Sequence, residues 1–165
     1  MTSERTLRPQ TITAEAFAPF GDLILPTADG VLFGPQDARL DLGGGIPRLY
    51  IMRLEPRDLS FKRITRHAEV TQCLAALGGR EWLIAVAPPI ESSDSSLMPD
   101  PSMIQAFKIP GDHAIKLHKG CWHAGPFFKG VDVDFINLEL SDTNEVDHIN
   151  CALDKEFGVT MRFEV

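Results

Sequence analysis

Basic charge is scarce in this chain of 165 residues: 16 Lys and Arg stand against 23 Asp and Glu, a formal net charge of −7. Binding along a phosphate backbone needs clustered cations that release counterions, so nucleic acid is excluded as an expected partner. Cysteine is also sparse. Cys73, Cys121 and Cys151 are odd in number and widely spaced, which argues against a disulfide framework and for reduced thiols, with Cys73 and Cys151 buried or half-buried. No apolar run is long enough to span a bilayer, and the start "MTSERTLRPQ" has no apolar signal core. A cytoplasmic protein without membrane contact is expected. Phosphate-loop chemistry is missing too, because "GGG" at 43–45 has no following Lys-Ser/Thr and no G-x-G-x-x-G follows a strand. There is no G-x-S-x-G nucleophile elbow.

What remains is a chain with 44% hydrophobic residues, enough for the core of one domain over 1–165. "TITAEAFAPFGDLI" reads as a short helix over Thr13 to Phe17, stopped by Pro19 and Gly21, followed by a strand from Asp22 to Leu25. Residues 26–47 carry "ADG", "GPQD" and "GGG" and predict an irregular arm or loose hairpin. Short apolar runs then recur: "RLYIMRLE", "VTQCLAALG", "EWLIAVAP", "MIQAFKI", "AIKLH", "VDVDFINLEL" and "TMRFEV". Most alternate or are rich in β-branched and aromatic residues, and Gly, Pro, Asp or Ser separates them. The pattern predicts a mainly β protein, an antiparallel sandwich or barrel. One helix is expected late, over Glu145 to Phe157, and "ESSDSSLMPDPS" at 91–102 reads as a solvated loop.

Chemistry concentrates in "AIKLHKGCWHAGPFF", residues 114–128, which sets His118, Cys121 and His123 within six positions. Side chains share a strand face only at even separations, so His118 and His123 meet one cavity only if the strand breaks between them, and Gly120 permits that break. "TRHAEVTQCL" poses the same problem, with His67 and Gln72 on either side of a bend at 68–70. Two bends that each present a His and a further polar group suit either a divalent-ion site or an acid–base site around a small acid. Histidines merely satisfied by neighbours at a barrel rim would produce the same pattern. Structural zinc is disfavoured, since no CxxC or HxxxH supplies a second ligand pair. A Cys121–His123 thiolate pair lacks an orienting third group. His113, after the "PGD" turn, and His148, in the late helical segment, read as surface or capping residues.

Three stretches are specific enough to carry a family resemblance. "RHAEVTQCLAALGGREWLIAVAP", "AFKIPGDHAIKLHKGCWHAGPF" and "VDFINLEL" resemble, in order and spacing, the ureidoglycolate lyase (ureidoglycolate hydrolase) family, and the likeness extends to the opening "ITAEAFAPFGDLI". The resemblance implies the cupin double-stranded β-helix, a small antiparallel β-barrel. In those terms "HKGCWH" is similar to the second cupin motif, with His118 at its proline position and His123 as the site histidine. "HAEVTQ" is similar to the end of the first motif, with Gln72 where many cupins carry glutamate. Trp122 reads as packing.

The implied reaction splits ureidoglycolate into glyoxylate and urea, a late step of purine (allantoin) breakdown. It requires a base for the hydroxyl proton and an acid for the leaving nitrogen, and His67 and His123 are the candidates. If a divalent metal (Mn, Ni or Zn) takes part, His67, Gln72 and His123 are its expected ligands. Arg66, Gln72, Arg53 and His118 are candidates for binding the substrate, the arginines through its carboxylate; Lys119 reads as surface charge. The resemblance also implies a homodimer. Departures from the family pattern fall at Ala124, where a second His is usual, and at Leu140, where an Arg is usual, with Glu139 standing for the preceding acid. "FGPQD" takes the place of an Asn-Asn-Gly stretch. Two further readings belong to a divergent member: an enzyme acting on another small hydroxy or keto acid, and a non-enzymatic cupin that binds a small carboxylate.

Overall fold

The computed structural model describes residues 1–165. In chain order the strands are β1 Ser3–Leu7, β2 Gln10–Thr11, β3 Gly21–Ile24, β4 Pro47–Leu54, β5 Ser60–Phe61, β6 Arg63–Arg66 and β7 Gln72–Ala76. They continue with β8 Trp82–Ala87, β9 Gln105–Ile109, β10 Ala114–Leu117, β11 Trp122–Phe127, β12 Val133–Leu140, β13 Ile149–Ala152 and β14 Val159–Phe163. Three single-turn helices, α1 Ala14–Phe17, α2 Thr143–Val146 and α3 Leu153–Glu156, complete the set with a 3₁₀ turn at Pro101–Met103. The N-terminal helix forms as its sequence dictates: Thr13 accepts the Ala16 N–H at 3.1 Å as N-cap, and Phe17 turns inward to full burial.

Two sheets face each other. One has the order β3-β10-β7-β12-β4, the other β13-β6-β11-β8-β9-β2, and a small sheet β1-β14-β5 covers the far side of the second. Alternation along β8 shows the layering. Trp82, Ile84 and Val86 point into the space between the two large sheets with Phe107, Ile115 and Phe135, while Leu83, Ala85 and Ala87 pack outward against Phe61, Met161 and Phe163. Trp82 meets Phe135 edge-on with ring centroids 5.2 Å apart, which fixes the spacing of the large sheets at that end of the barrel. The facing, mainly antiparallel sheets form the double-stranded β-helix expected above, and residues 25–46 form the irregular arm, without strand or helix.

The late helix over 145–157 does not form. Asp147 leaves the helical region at φ −136°, and Ile149–Ala152 instead pairs antiparallel with β6, placing Cys151 opposite Ile64. Ile149 and the buried Cys151 gain a sheet edge and core contacts there, and that tertiary gain outweighs the helix-forming tendency of the flanking Glu, Asp and Lys residues.

The two bends open as their sequences require. Gly120 sits at φ +75°, and a Cβ on it would lie 2.2 Å from the Ile90 carbonyl oxygen, so glycine is required twice over. Its N–H donates to the His67 carbonyl at 2.6 Å, and its own carbonyl accepts from Ile90 N–H at 2.9 Å. This single residue ties the two histidine-bearing bends together.

Candidate functional site

His123 lies on β11, in register with Val86 on one side and Thr65 on the other, so its side chain shares their face between the large sheets. Trp122 and Ala124 point the opposite way into the outer core. His67 follows the end of β6 and is 5% exposed. The rings of His67 and His123 lie 5.1 Å apart, and a third imidazole, His148, lies 5.4 Å from His67.

Both central imidazoles are held by backbone oxygens. His67 Nδ1 lies 2.7 Å from the Asp147 carbonyl and His123 Nδ1 lies 3.1 Å from the Cys121 carbonyl. A carbonyl only accepts, so each Nδ1 carries the hydrogen and each Nε2 keeps a free lone pair. Burial pushes the His123 pKa down to about 3, with the neighbouring His67 adding to the shift, so this ring is neutral at working pH. Burial likewise lowers the pKa of His148, with a contribution from His67.

The opposite sheet contributes an amide and carboxylate network. Gln72 on β7 donates from Nε2 to Asn137 Oδ1 at 3.0 Å and to Glu139 Oε2 at 3.5 Å. Glu139 Oε1 accepts from the Tyr50 hydroxyl at 3.1 Å and from Asn144 Nδ2 at 3.2 Å, and Asn137 Nδ2 donates to Tyr50 at 2.9 Å. Glu139 is 1% exposed and has no cationic partner. Gln72 Oε1 is the unsatisfied member: it is buried and accepts no hydrogen bond. His67, Gln72, His118 and His123 surround one crevice too small to admit water. His123 and His148 also line a larger cleft of about 730 Å³. That cleft opens where β6 and β11, joined by the single registered pair Thr65–His123, diverge.

The expected carboxylate partners are engaged elsewhere. Arg66 is fully buried and its guanidinium donates to the carbonyls of Ile90, Ser92 and, at 2.7 Å, Asp94, so it staples the 90–94 loop over Trp122. Arg53 lies on the outer face of β4, paired with Asp134 at 2.8 Å. His118 accepts from Lys116 Nζ at 3.0 Å through Nδ1 and donates from Nε2 to the Ala18 carbonyl at 3.0 Å, leaving it no free nitrogen. Lys119 pairs with Asp41 at 2.5 Å, in keeping with a surface charge. Ala124 packs against the outer core and lines the cleft beside His123 and His148, whereas Leu140 lies under the glycines at 44 and 45.

His148 and Asp147 escaped the sequence reading, which had them inside a helix. The signal available was the polar–apolar alternation of His148, Ile149, Asn150 and Cys151 in "HINCA", which suits a strand better than a helix.

Fold and site together define a cupin-type barrel with a cluster of imidazoles, an amide and a carboxylate between its sheets. A sequence profile described as ureidoglycolate lyase matches residues 4–160, and this chain belongs to the ureidoglycolate lyase family. A ureidoglycolate lyase of Burkholderia mallei is 32% identical over 147 residues, 82% of either chain. One of Pseudomonas aeruginosa is 29% identical over 139 residues, 72% of this chain and 74% of that one. Among solved structures, an oxalate decarboxylase superposes with a TM-score of 0.41 at 10% identity, over 79% of this chain and 38% of that longer one.

Proposed function

We propose that this chain is a ureidoglycolate lyase that releases glyoxylate and urea, and that His67 moves the proton. The reading is carried by one observation beside the family match: His67 has its Nδ1–H fixed on the Asp147 carbonyl and its Nε2 free, next to His123 and the unsatisfied Gln72 Oε1. In the cleavage the substrate hydroxyl loses a proton, its oxygen becomes the aldehyde of glyoxylate, the C–N bond breaks and the departing ureido nitrogen gains a proton. Oxygen and nitrogen leave the same carbon, so one imidazole can take the proton from the first and return it to the second. The Asp147 carbonyl stabilises the imidazolium formed between those two transfers.

His123, held neutral, serves as a hydrogen-bond acceptor rather than as the acid. Gln72 Oε1, in the closed crevice beside His67 and His123, keeps its acceptor capacity unused. Glu139 orients Gln72 through Nε2.

The residues also fit a divalent ion. His67 Nε2, His123 Nε2 and Gln72 Oε1 are the free donors that would hold Mn, Ni or Zn, although no three His, Cys, Asp or Glu side chains gather as a ligand set. Such an ion would lower the pKa of the substrate hydroxyl.

The deciding experiment is glyoxylate release from racemic ureidoglycolate, corrected for spontaneous decay, on metal-stripped protein and again with Mn, Ni or Zn. Release above background by the wild type and its loss in His67→Asn support the reading. No release under any condition sinks it in favour of another small carboxylate. A metal requirement moves the proton-transfer assignment toward an ion-assisted one.

We also propose a homodimer: Ile46, Leu49 and Ile51 stay exposed at β4, the open edge of its sheet, and a second copy would cover them. Light scattering at micromolar concentration tests this. No helix is long and apolar enough to cross a membrane, and the three free cysteines suit the reducing cytoplasm we propose as the compartment.

A further inference from the structure

We propose that Arg63 binds the carboxylate of the substrate, at the wall of the cleft beside His123. This deepens the lyase reading and rests on it for the identity of the ligand. With Arg66 turned to backbone carbonyls and Arg53 turned outward to Asp134, a substrate acid has no expected partner left. The structure offers a different one.

The cleft of about 730 Å³ is lined by Arg57, Lys62, Arg63 and Lys155, and by two acids, Asp58 and Asp154. None of the four cations takes part in an ion pair, although the chain as a whole is acidic. They differ in what else they do. The Arg57 guanidinium lies 4.1 Å above the Phe127 ring. Arg48, outside this cleft, is similarly placed 3.6 Å over Tyr50. The Arg63 side chain has neither an aromatic platform nor a hydrogen-bond partner.

Position decides among the remaining cations. Arg63 lies two residues before Thr65 on β6, hence on the same face, and Thr65 is the registered partner of His123. Two residues of strand cover about 7 Å, an interval that an extended arginine side chain spans. Lys62, one residue earlier, sits at the bend between β5 and β6 and offers a single ammonium in place of a planar fork of donors. Thr65 and Asn150, hydrogen-bonded at 2.6 Å, form the polar floor between Arg63 and the imidazoles. A planar guanidinium binds a carboxylate through two parallel N–H donors, which fixes orientation as well as position. An acid so held presents its adjacent hydroxyl-bearing carbon towards His123, whose ring lies 5.1 Å from that of His67.

The experiment compares wild type, Arg63→Gln, Arg63→Lys and a charge control, Lys155→Gln, by two readouts. One is the KM and kcat for ureidoglycolate; the other is the Kd for oxamate, a non-reacting carboxylate amide, measured by calorimetry with urea as the uncharged comparison. Expected for Arg63→Gln is an increase of about tenfold or more in KM and in the oxamate Kd, with kcat changed far less. Arg63→Lys should recover part of the loss and Lys155→Gln should resemble wild type. Unchanged oxamate affinity in Arg63→Gln overturns the proposal, and so does an equal loss in Lys155→Gln, which would reveal only a general field. Wild type that binds oxamate through Arg63 yet releases no glyoxylate leaves the carboxylate site standing and overturns the lyase reading instead.

Discussion

Asp147 grips the turn that carries His67. Its carbonyl oxygen lies 2.7 Å from His67 Nδ1, and its carboxylate oxygens accept the N–H groups of Ala68 at 2.7 Å and Glu69 at 2.8 Å. One residue thereby sets the tautomer of the imidazole and the path of the chain just after it. The carboxylate stands where a side chain must satisfy two backbone donors that no strand partner reaches.

Asp147→Asn should therefore lower both stability and turnover. The amide keeps one acceptor oxygen and turns an N–H₂ toward a backbone N–H, at a cost of about 1–3 kcal/mol for the donor left without a partner. Denaturant unfolding and kcat check this. A variant with wild-type stability would mean that water replaces the carboxylate, and wild-type kcat would remove Asp147 from the positioning of His67.

His123→Ala should abolish glyoxylate release while the melting temperature changes little, because the ring is half-buried and makes a single hydrogen bond. A folded variant with full activity would exclude His123 from the site. A collapse in stability would instead assign the ring to packing.

Stability should rise with pH across the acid range because of the same residue. The folded-state pKa of His123 is depressed to about 3 from 6.5, so between those values the unfolded chain binds a proton that the folded one refuses. Its contribution is complete above about pH 6.5 and is lost as the pH falls toward 3. His123→Asn should flatten the melting temperature between pH 4 and 7 relative to wild type, as read by calorimetry.

Glu139→Gln should disturb Gln72 more than its small change in shape suggests. The Tyr50, Asn144 and Gln72 donors all point at this carboxylate, so a carboxamide places an N–H₂ against at least one of them. A loss of about 1–3 kcal/mol in stability and a raised KM are expected. Unchanged values in both assays would separate this network from the site.

Arg66→Ala should unfold or strongly destabilise the protein, since three loop carbonyls and the face of Trp122 lose their partner. Arg66→Lys, which keeps the charge but not the fork of donors, should fold with a lower melting temperature and an ordinary KM. A selective increase in KM without loss of stability would return Arg66 to the substrate.

Much of the barrel is legible from local chemistry. Alternation in "FINLEL" places Phe135, Asn137 and Glu139 on one face of β12, and the pattern needs only the two-residue period of a strand. Gly120 reads as a break between His118 and His123, and its φ of +75° is the conformation glycine adopts at little cost. The short helix before Pro19 and Gly21 is legible as well, and the structure makes Thr13 its cap.

The partners of the charged residues were not legible in this way. Nothing local distinguishes Arg63, Arg66 and Arg53; one faces the cleft, one is buried under a loop and one pairs on the outer sheet, according to strand parity and to neighbours far away in sequence. His148 enters the site for the same reason: β13 gains more by pairing with β6 than "EVDHIN" gains by continuing as a helix. The sequence by itself determined β3, β4, β7 to β10, β12 and β14, the bend at Gly120 and which family they build, since those depend on periodicity and on residues with special backbone freedom. Only the tertiary structure decided which histidines meet and which arginine is free, because hydrogen bonds and burial between distant strands set both.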